Sequence, residues 1–215
     1  MNPRKRPGKR AEAPRLTPDD WLDAAFNAVV EGGFDKVRVL VIAATLGVTR
    51  GSFYWHFVDH AALISALLER WRQREIELDR YWKAQSSDDP EADLERLLEG
   101  ALAHAGADLE NMRFELALRG LGRRDPAVAK MLVDVDELRM RLFEHKFERL
   151  TGDAQTAAEL AALFYLAIVG GHQALGRPTN PPRMQDYLKG IIARYLIRGQ
   201  ASAAPTRSGK RVTIR

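Results

Sequence analysis

Between Ile42 and Phe57 the chain reads IAATLGVTRGSFYWHF, and these residues decide the fold. Two short stretches with apolar residues at helical spacing flank a single glycine, Gly47. Glycine adopts positive φ at no steric cost, so it allows a sharp bend between two helices. Ala43 is small enough to let those helices approach, and Ile42, Leu46, Val48 and Phe53 supply a shared apolar contact. The pattern is that of a helix-turn-helix. Spacing alone leaves a second reading open, because αα-corners with similar patterning occur in proteins with no nucleic-acid partner.

Outward from this stretch one helix-start signal recurs, a small polar residue followed by proline: Thr17-Pro18, Asp89-Pro90, Asp125-Pro126 and Asn180-Pro181. The polar side chain can accept a hydrogen bond at the N-cap, and proline presets φ for the first turn. After each signal the apolar residues recur at helical spacing, as in Leu94, Leu97, Leu98, Ala101 and Leu102. Sustained two-residue alternation is absent. The expected fold is therefore all-α with about nine helices. An N-terminal three-helix helix-turn-helix domain is followed by a larger helical domain. The first helix opens with a capping box, Thr17 to Asp20, and ends at Gly32-Gly33. Later helices are expected near 38–46, 49–57, 59–83, 90–107, 110–122, 126–150, 154–176 and 182–198.

The 215 residues are 46% hydrophobic and 29% charged, an ordinary globular mixture. The chain has no cysteine, which removes disulfides, zinc–thiolate fingers, iron–sulfur clusters and cysteine nucleophiles, and suits a reducing cytoplasm. The longest uncharged apolar run, Leu160 to Gly171, falls short of the roughly 20 residues that cross a bilayer. Neither export nor membrane spanning is expected, and the predicted location is cytoplasmic. Catalysis is not expected either. None of the five histidines follows a glutamate by three residues, and HExxH, GxSxG, P-loop and GxGxxG patterns are missing. No cofactor or metal is called for.

Charge is unevenly placed. Residues 1–15 carry +5, 16–60 carry −3, 61–198 carry −2 and 199–215 carry +4, a total of +4. Both ends are rich in Pro, Gly, Ser and Ala, so the sequence predicts a basic flexible arm (1–15) and tail (199–215). Between them lie the helix-turn-helix domain (16–60) and a second helical domain (61–198). The acidic balance of 16–60 argues against a polyanion partner, yet Asp19, Asp20 and Asp59 stand at helix starts, where carboxylates stabilise the dipole. The basic arm would then supply much of the attraction to DNA, along a minor groove.

The residues Gly33-Phe34, Ile42-Ala43, Gly47-Val48-Thr49, Gly51, Phe53-Tyr54-Trp55-His56-Phe57 and Ala62-Leu63-Ile64 carry a resemblance. Over roughly Leu16 to Leu67 the chain closely resembles the N-terminal domain of TetR/AcrR-family transcriptional regulators. The resemblance implies that Thr49, Tyr54 and His56 hold the DNA backbone while Arg50, Ser52 and Trp55 read bases. Physical chemistry suits those roles. Thr49 can cap the third helix and face a phosphate with the first-turn N–H groups, Arg50 can make a bidentate contact to guanine, and Gly51 lets the helix lie close to DNA. Tyr54, Trp55 and His56 also have plain alternatives as packing or helix-end residues. The sequence departs from the family at two points. Val37-Arg38 stand where a threonine or serine usually caps the second helix, and His60 stands where a lysine commonly contacts phosphate. Arg38 and His60 remain candidate DNA contacts.

The segment 153–176 is apolar nearly all round, and beside the stripe from Met184 to Leu196 it suggests a four-helix interface with a second copy, as the family commonly builds. The resemblance thus implies that 61–198 is a ligand-binding and dimerisation domain and that the chain acts as a homodimer on a palindromic operator. The resemblance also implies a small-molecule effector, lipophilic or aromatic, with Trp71, His104, Phe114, Glu115, Leu118, Arg119, Phe164, Tyr165 and His172 as candidate lining residues. The expected partners are therefore double-stranded DNA, a second copy of the chain and that effector, with no membrane. A helical module that binds only ligand or protein, without DNA specificity, is the alternative.

Overall fold

The computed structural model describes residues 16–107, 109–175 and 182–201, without the side chains of 103–107, 172, 175, 182–185 and 201. The predicted arm, Asn180-Pro181 and the tail beyond residue 201 lie outside the described residues, as do the side chains of His104 and His172. Nine helices account for nearly all of the described chain, and no strand occurs among the described residues: α1 (Pro18–Gly32), α2 (Val39–Thr45), α3 (Arg50–Phe53), α4 (His60–Ala84), α5 (Pro90–Ala107), α6 (Leu109–Gly122), α7 (Pro126–Thr151), α8 (Ala154–Leu175) and α9 (Pro182–Ile191). A 3₁₀ turn (Phe34–Lys36) precedes α2. Past α9 the chain continues as a π-helical segment (Ile192–Arg198) and a final turn (Gly199–Ala201), so helical structure enters the segment expected to be a flexible tail.

The polar–proline pairs act as the sequence predicts. Thr17 and Asp20 form a reciprocal capping box: the Thr17 hydroxyl accepts from the Asp20 N–H at 3.4 Å, and the Asp20 carboxylate accepts from the Thr17 N–H at 2.6 Å. Asp89 accepts from the Ala92 N–H at 3.1 Å, and Asp125 from the N–H groups of Ala127 and Val128 at 2.9 and 3.3 Å. Each satisfies donors that a helix start leaves without intrahelical partners.

Two apolar cores hold the molecule together. The first joins Trp21, Ile42, Phe53 and Leu63 to Phe114 and Leu118 of α6 and to Val128 and Leu132 of α7. Packing therefore crosses residue 60: α6 seats against α1, with the rings of Phe26 and Phe114 stacked at 5.0 Å and 20°. The second core lies at the other end of α7 and joins Leu94, Leu97, Phe143, Phe147, Phe164 and Ile192. Long α7 belongs to both, with α4, α5, α6 and α8 around it.

At the junction of α4 and α5 a charged group is buried. The Asp93 carboxylate accepts from the Ser87 N–H and hydroxyl and from Arg149 at 2.7 Å, and it also pairs with Arg96. Lys146, itself buried, donates to the Ser86 hydroxyl at 2.8 Å. Burial alone would raise the Asp93 carboxyl, but these bonds and the nearby cations bring it down to about 2.

Candidate functional site

Two sites follow from this frame, one on the surface of α2 and α3 and one inside the helical body. The first depends on the turn between α2 and α3. Gly47 has φ 69°, and the Val48 N–H bonds the Ala43 carbonyl at 2.9 Å, which reverses the chain after α2. Ile42 and Ala43 are buried, as is Phe53, whose ring meets Trp21 edge-on at 5.3 Å and 68°. Phe57 stacks beside Phe53 at 5.6 Å. With these residues turned inward, the opposite face of α3 is outward. Trp55 there is 87% exposed, and Arg50 and Tyr54 are exposed beside it. The Arg50 guanidinium donates to the Tyr54 hydroxyl at 2.8 Å and lies 5.6 Å from the centre of its ring. Ser52 and His56 are half-buried on the same segment, and Gly51 is exposed.

Three details of this surface differ from expectation. Thr49 occupies the N-cap of α3 with extended backbone, but its hydroxyl makes no capping bond. The helix itself is shorter than expected: after Phe53 the chain continues as a tight turn in which the His56 N–H bonds the Phe53 carbonyl at 2.9 Å. His60, placed by the sequence as a phosphate contact, lies with Nε2 2.7 Å from the Val37 carbonyl, and the ring N–H donates across that gap. The imidazole thereby ties the start of α4 to the segment before α2. Arg38 takes the N-cap of α2 with no capping side chain, as the departure from the family pattern implied, and donates instead to the Asp35 carbonyl at 3.3 Å.

Four of the six acidic residues of this half serve a helix start or an ion pair. Asp59 caps α4 by accepting from the Ala62 N–H at 2.8 Å, Asp20 belongs to the capping box, and Asp23 pairs with Arg70 at 2.7 Å. Asp19 stands in the first turn of α1, where a carboxylate favours the helix dipole.

The second site is a cavity of about 150 Å³ between α4, α5, α6, α7 and α8. Trp71, Glu115 and Tyr165 from the expected set line it. Phe114, Leu118 and Phe164 do not. Each is fully buried in one of the two cores, because α6 turns its large apolar residues toward α1 and α8 turns Phe164 toward Phe143 and Phe147. Arg119 stands beside the cavity in an ion-pair network. It donates to Glu115 at 2.7 Å, to Asp136 at 2.8 Å and to the Tyr165 hydroxyl at 3.2 Å. Arg139 extends the network, bonding Glu115 at 2.9 Å and Glu75 at 2.8 Å. Burial would raise the Glu115 carboxyl, but Arg139 and Arg119 hold it at about 2. Burial, with a bond to Asp136, pushes the Tyr165 hydroxyl up to about 12.

Sequence reasoning missed Glu75, Asp79, Trp82 and Arg139 of this cavity. A signal for two of them was present. The buried residues of α4 are Leu63, Leu67, Trp71, Glu75 and Asp79, one stripe at four-residue spacing that turns from apolar to acidic. Among the described residues no cluster of three or more His, Cys, Asp or Glu side chains could hold a metal.

Comparison with known proteins agrees with this geometry. The family described as bacterial regulatory proteins, tetR family, matches residues 22–67, the helices that build the outward face. The HTH-type transcriptional regulator TtgR of Pseudomonas putida is 34% identical over 77 residues, 36% of this chain and 37% of TtgR. The match thus spans little more than a third of that relative's length. The HTH-type transcriptional regulator BetI of Stenotrophomonas maltophilia is 26% identical over 156 residues, 71% of this chain and 77% of BetI. A crystal structure of a transcriptional regulator from Rhodococcus sp. Rha1 superposes with a TM-score of 0.70 at 18% identity, covering 86% of this chain and 98% of the other, a likeness of fold. All three carry the description of a transcriptional regulator. Residues 22–67 thus match the tetR family of bacterial regulatory proteins by sequence, and the helical frame as a whole is similar in fold to a solved transcriptional regulator.

Proposed function

We propose that this chain is a DNA-binding transcriptional repressor that acts in the cytoplasm as a homodimer on a palindromic operator and is released by a small apolar or aromatic effector. The observation that carries the reading is the exposure of Trp55 on the segment that presents the Arg50–Tyr54 pair, outside the packed rings of Phe53 and Phe57. A tryptophan 87% open to solvent gains nothing from the core, whereas an exposed guanidinium and an exposed apolar ring on one segment suit the guanine edge and the thymine methyl of the major groove. Arg50, Ser52 and Trp55 then read bases, and Thr49, Tyr54 and His56 hold phosphates. The Thr49 hydroxyl makes no capping bond, and its O–H can donate to a phosphate oxygen.

Dimerisation is supported by an apolar face spanning α8 and the last helix. Leu163, Leu166, Tyr187, Ile191 and Tyr195 are all more than half exposed in the single chain, and contiguous exposed apolar patches mark association surfaces. Two copies joined there would carry two α3 segments, which need half-sites about 34 to 36 Å apart. Helix α4 begins at the reading segment and lines the cavity, so a ligand that favours one tilt of α4 would change that spacing. Shifting the balance from 1:99 to 99:1 takes roughly 5.5 kcal/mol of differential binding. Selection of bound duplexes from a random pool tests the reading. A palindromic winner supports it, and the absence of any preferred duplex sinks it.

A further inference from the structure

The acidic end of the α4 stripe is not fully answered by the protein. Glu75 accepts from Arg139 at 2.8 Å. Asp79 is buried as well, and its Oδ2 accepts from Lys83 at 2.7 Å, but its Oδ1 is buried without a hydrogen-bond partner. Buried polar atoms are almost always paired, so a lone carboxylate oxygen signals an acceptor awaiting a donor. Asp79 lines the cavity together with the indoles of Trp71 and Trp82 and the ring of Tyr165. The other charges at the wall already answer one another: Arg139 is held by both Glu75 and Glu115, and Arg74 is engaged too.

We infer that the cavity takes an organic cation, an ammonium or amidinium on an aromatic body, whose N–H donates to Asp79 Oδ1 while its ring lies against Trp71 and Trp82. The inference rests on the reading of this cavity as the effector site and names the chemistry of the effector. A cavity of about 150 Å³ holds one benzene-sized ring. A bond from a cation to a carboxylate is roughly twice as strong as one between neutral groups, and aromatic faces attract a cation further. A carboxylate ligand faces the opposite situation. To reach Arg139 it would have to displace Glu75 or Glu115 and leave that charge buried and unpaired.

The test titrates full-length protein, without DNA, with three probes of one shape: 2-phenylethylammonium, 2-phenylethanol and 3-phenylpropionate, read by calorimetry. The ammonium is expected to bind at one site per chain at least about tenfold more tightly than the alcohol, with the propionate weakest. Asp79→Asn, which keeps the shape and removes the charge, abolishes the preference. Lys83→Gln, a change at a half-exposed side chain, tightens the ammonium by removing its competitor. Equal binding of ammonium and alcohol, tighter binding of the propionate, no saturable binding of the ammonium, or a preference that survives Asp79→Asn with Lys83→Gln silent would each overturn the inference. Failure of the regulator reading looks different. A chain that binds the ammonium through Asp79 but selects no duplex keeps this inference and loses that one, and a palindrome-selecting chain with no Asp79-dependent preference does the reverse.

Discussion

Arg139 on α7 grips Glu75 on α4 through two hydrogen bonds, Nη2 at 2.8 Å and Nε at 3.2 Å, midway along the helix that links the outward face to the cavity. The same guanidinium holds Glu115 of α6, so one side chain ties three helices. Breaking a buried ion pair from one side leaves an uncompensated charge. Arg139→Ala is therefore expected to lower unfolding stability by roughly 3 to 5 kcal/mol, measured by urea denaturation followed by tryptophan emission. Glu75→Gln retains Glu115 as a partner and should cost clearly less. Equal losses for the two variants would show that Arg139 does not act as the shared tie.

Acid sensitivity follows from Asp93 and Glu115. Both carboxyls lie near 2 in the folded chain, below their ordinary values of 3.8 and 4.5. A carboxyl with a depressed folded pKa contributes stability that is fully present above its unfolded value and is lost as pH falls toward the folded one. Stability is thus expected to be flat in these groups above about pH 5 and to fall between about pH 4.5 and 2, with Asp93 contributing on the order of 2 kcal/mol. Denaturation curves at stepped pH check this. Asp93→Asn should flatten the acid limb, and an unchanged slope would contradict the assignment.

Recognition by α3 gives a third expectation. Arg50 is held by Tyr54 at 2.8 Å in the DNA-free chain and must leave that partner or carry it along when it meets a base. Arg50→Ala should cost about 1 to 3 kcal/mol on a selected duplex and relax preference at one base position. Tyr54→Phe should weaken all duplexes to a similar extent, because the hydroxyl is proposed to touch phosphate. Competition binding against single-base variants separates the two patterns.

The apolar face of α8 gives a fourth. Leu166 is 65% exposed and Leu163 58% in the isolated chain. Leu166→Glu places a charge in the middle of the proposed self-association surface. Sedimentation at micromolar concentration should show a dimer for the parent chain and a monomer for the variant, with helix content by circular dichroism unchanged. A parent chain that sediments as a monomer contradicts the dimer.

Helix boundaries were legible because short-range chemistry sets them. Thr17, Asp89 and Asp125 each cap from the position before a proline, and Gly33 and Gly47 supply positive φ where helices stop. The outward face of α3 was legible for the same reason, since four-residue spacing separates Phe53 and Phe57 from the residues between them. Side-chain commitments across long sequence gaps were not. His60 to Val37 spans 23 positions and Arg139 to Glu75 spans 64. Nothing local tells a half-exposed histidine which carbonyl will lie within reach. Phe114 and Phe164 look alike in sequence, yet one packs against α1 and the other against α7, because the partner of an apolar stripe is set by tertiary packing. The π-helical stretch Ile192–Arg198 carries no composition that separates it from an ordinary α-helix.

The Phe26–Phe114 stack has a mechanical implication for how such a molecule would let go of its target. This aromatic rivet between the first and sixth helices favours a pivot of the front half as a block over a swivel of the tip alone. In the paired assembly proposed above, the two tips would behave like caliper jaws. Their gap would be dialled from the handle, and small angular play near the aromatic chamber would be magnified along the arm into a mismatch with the groove.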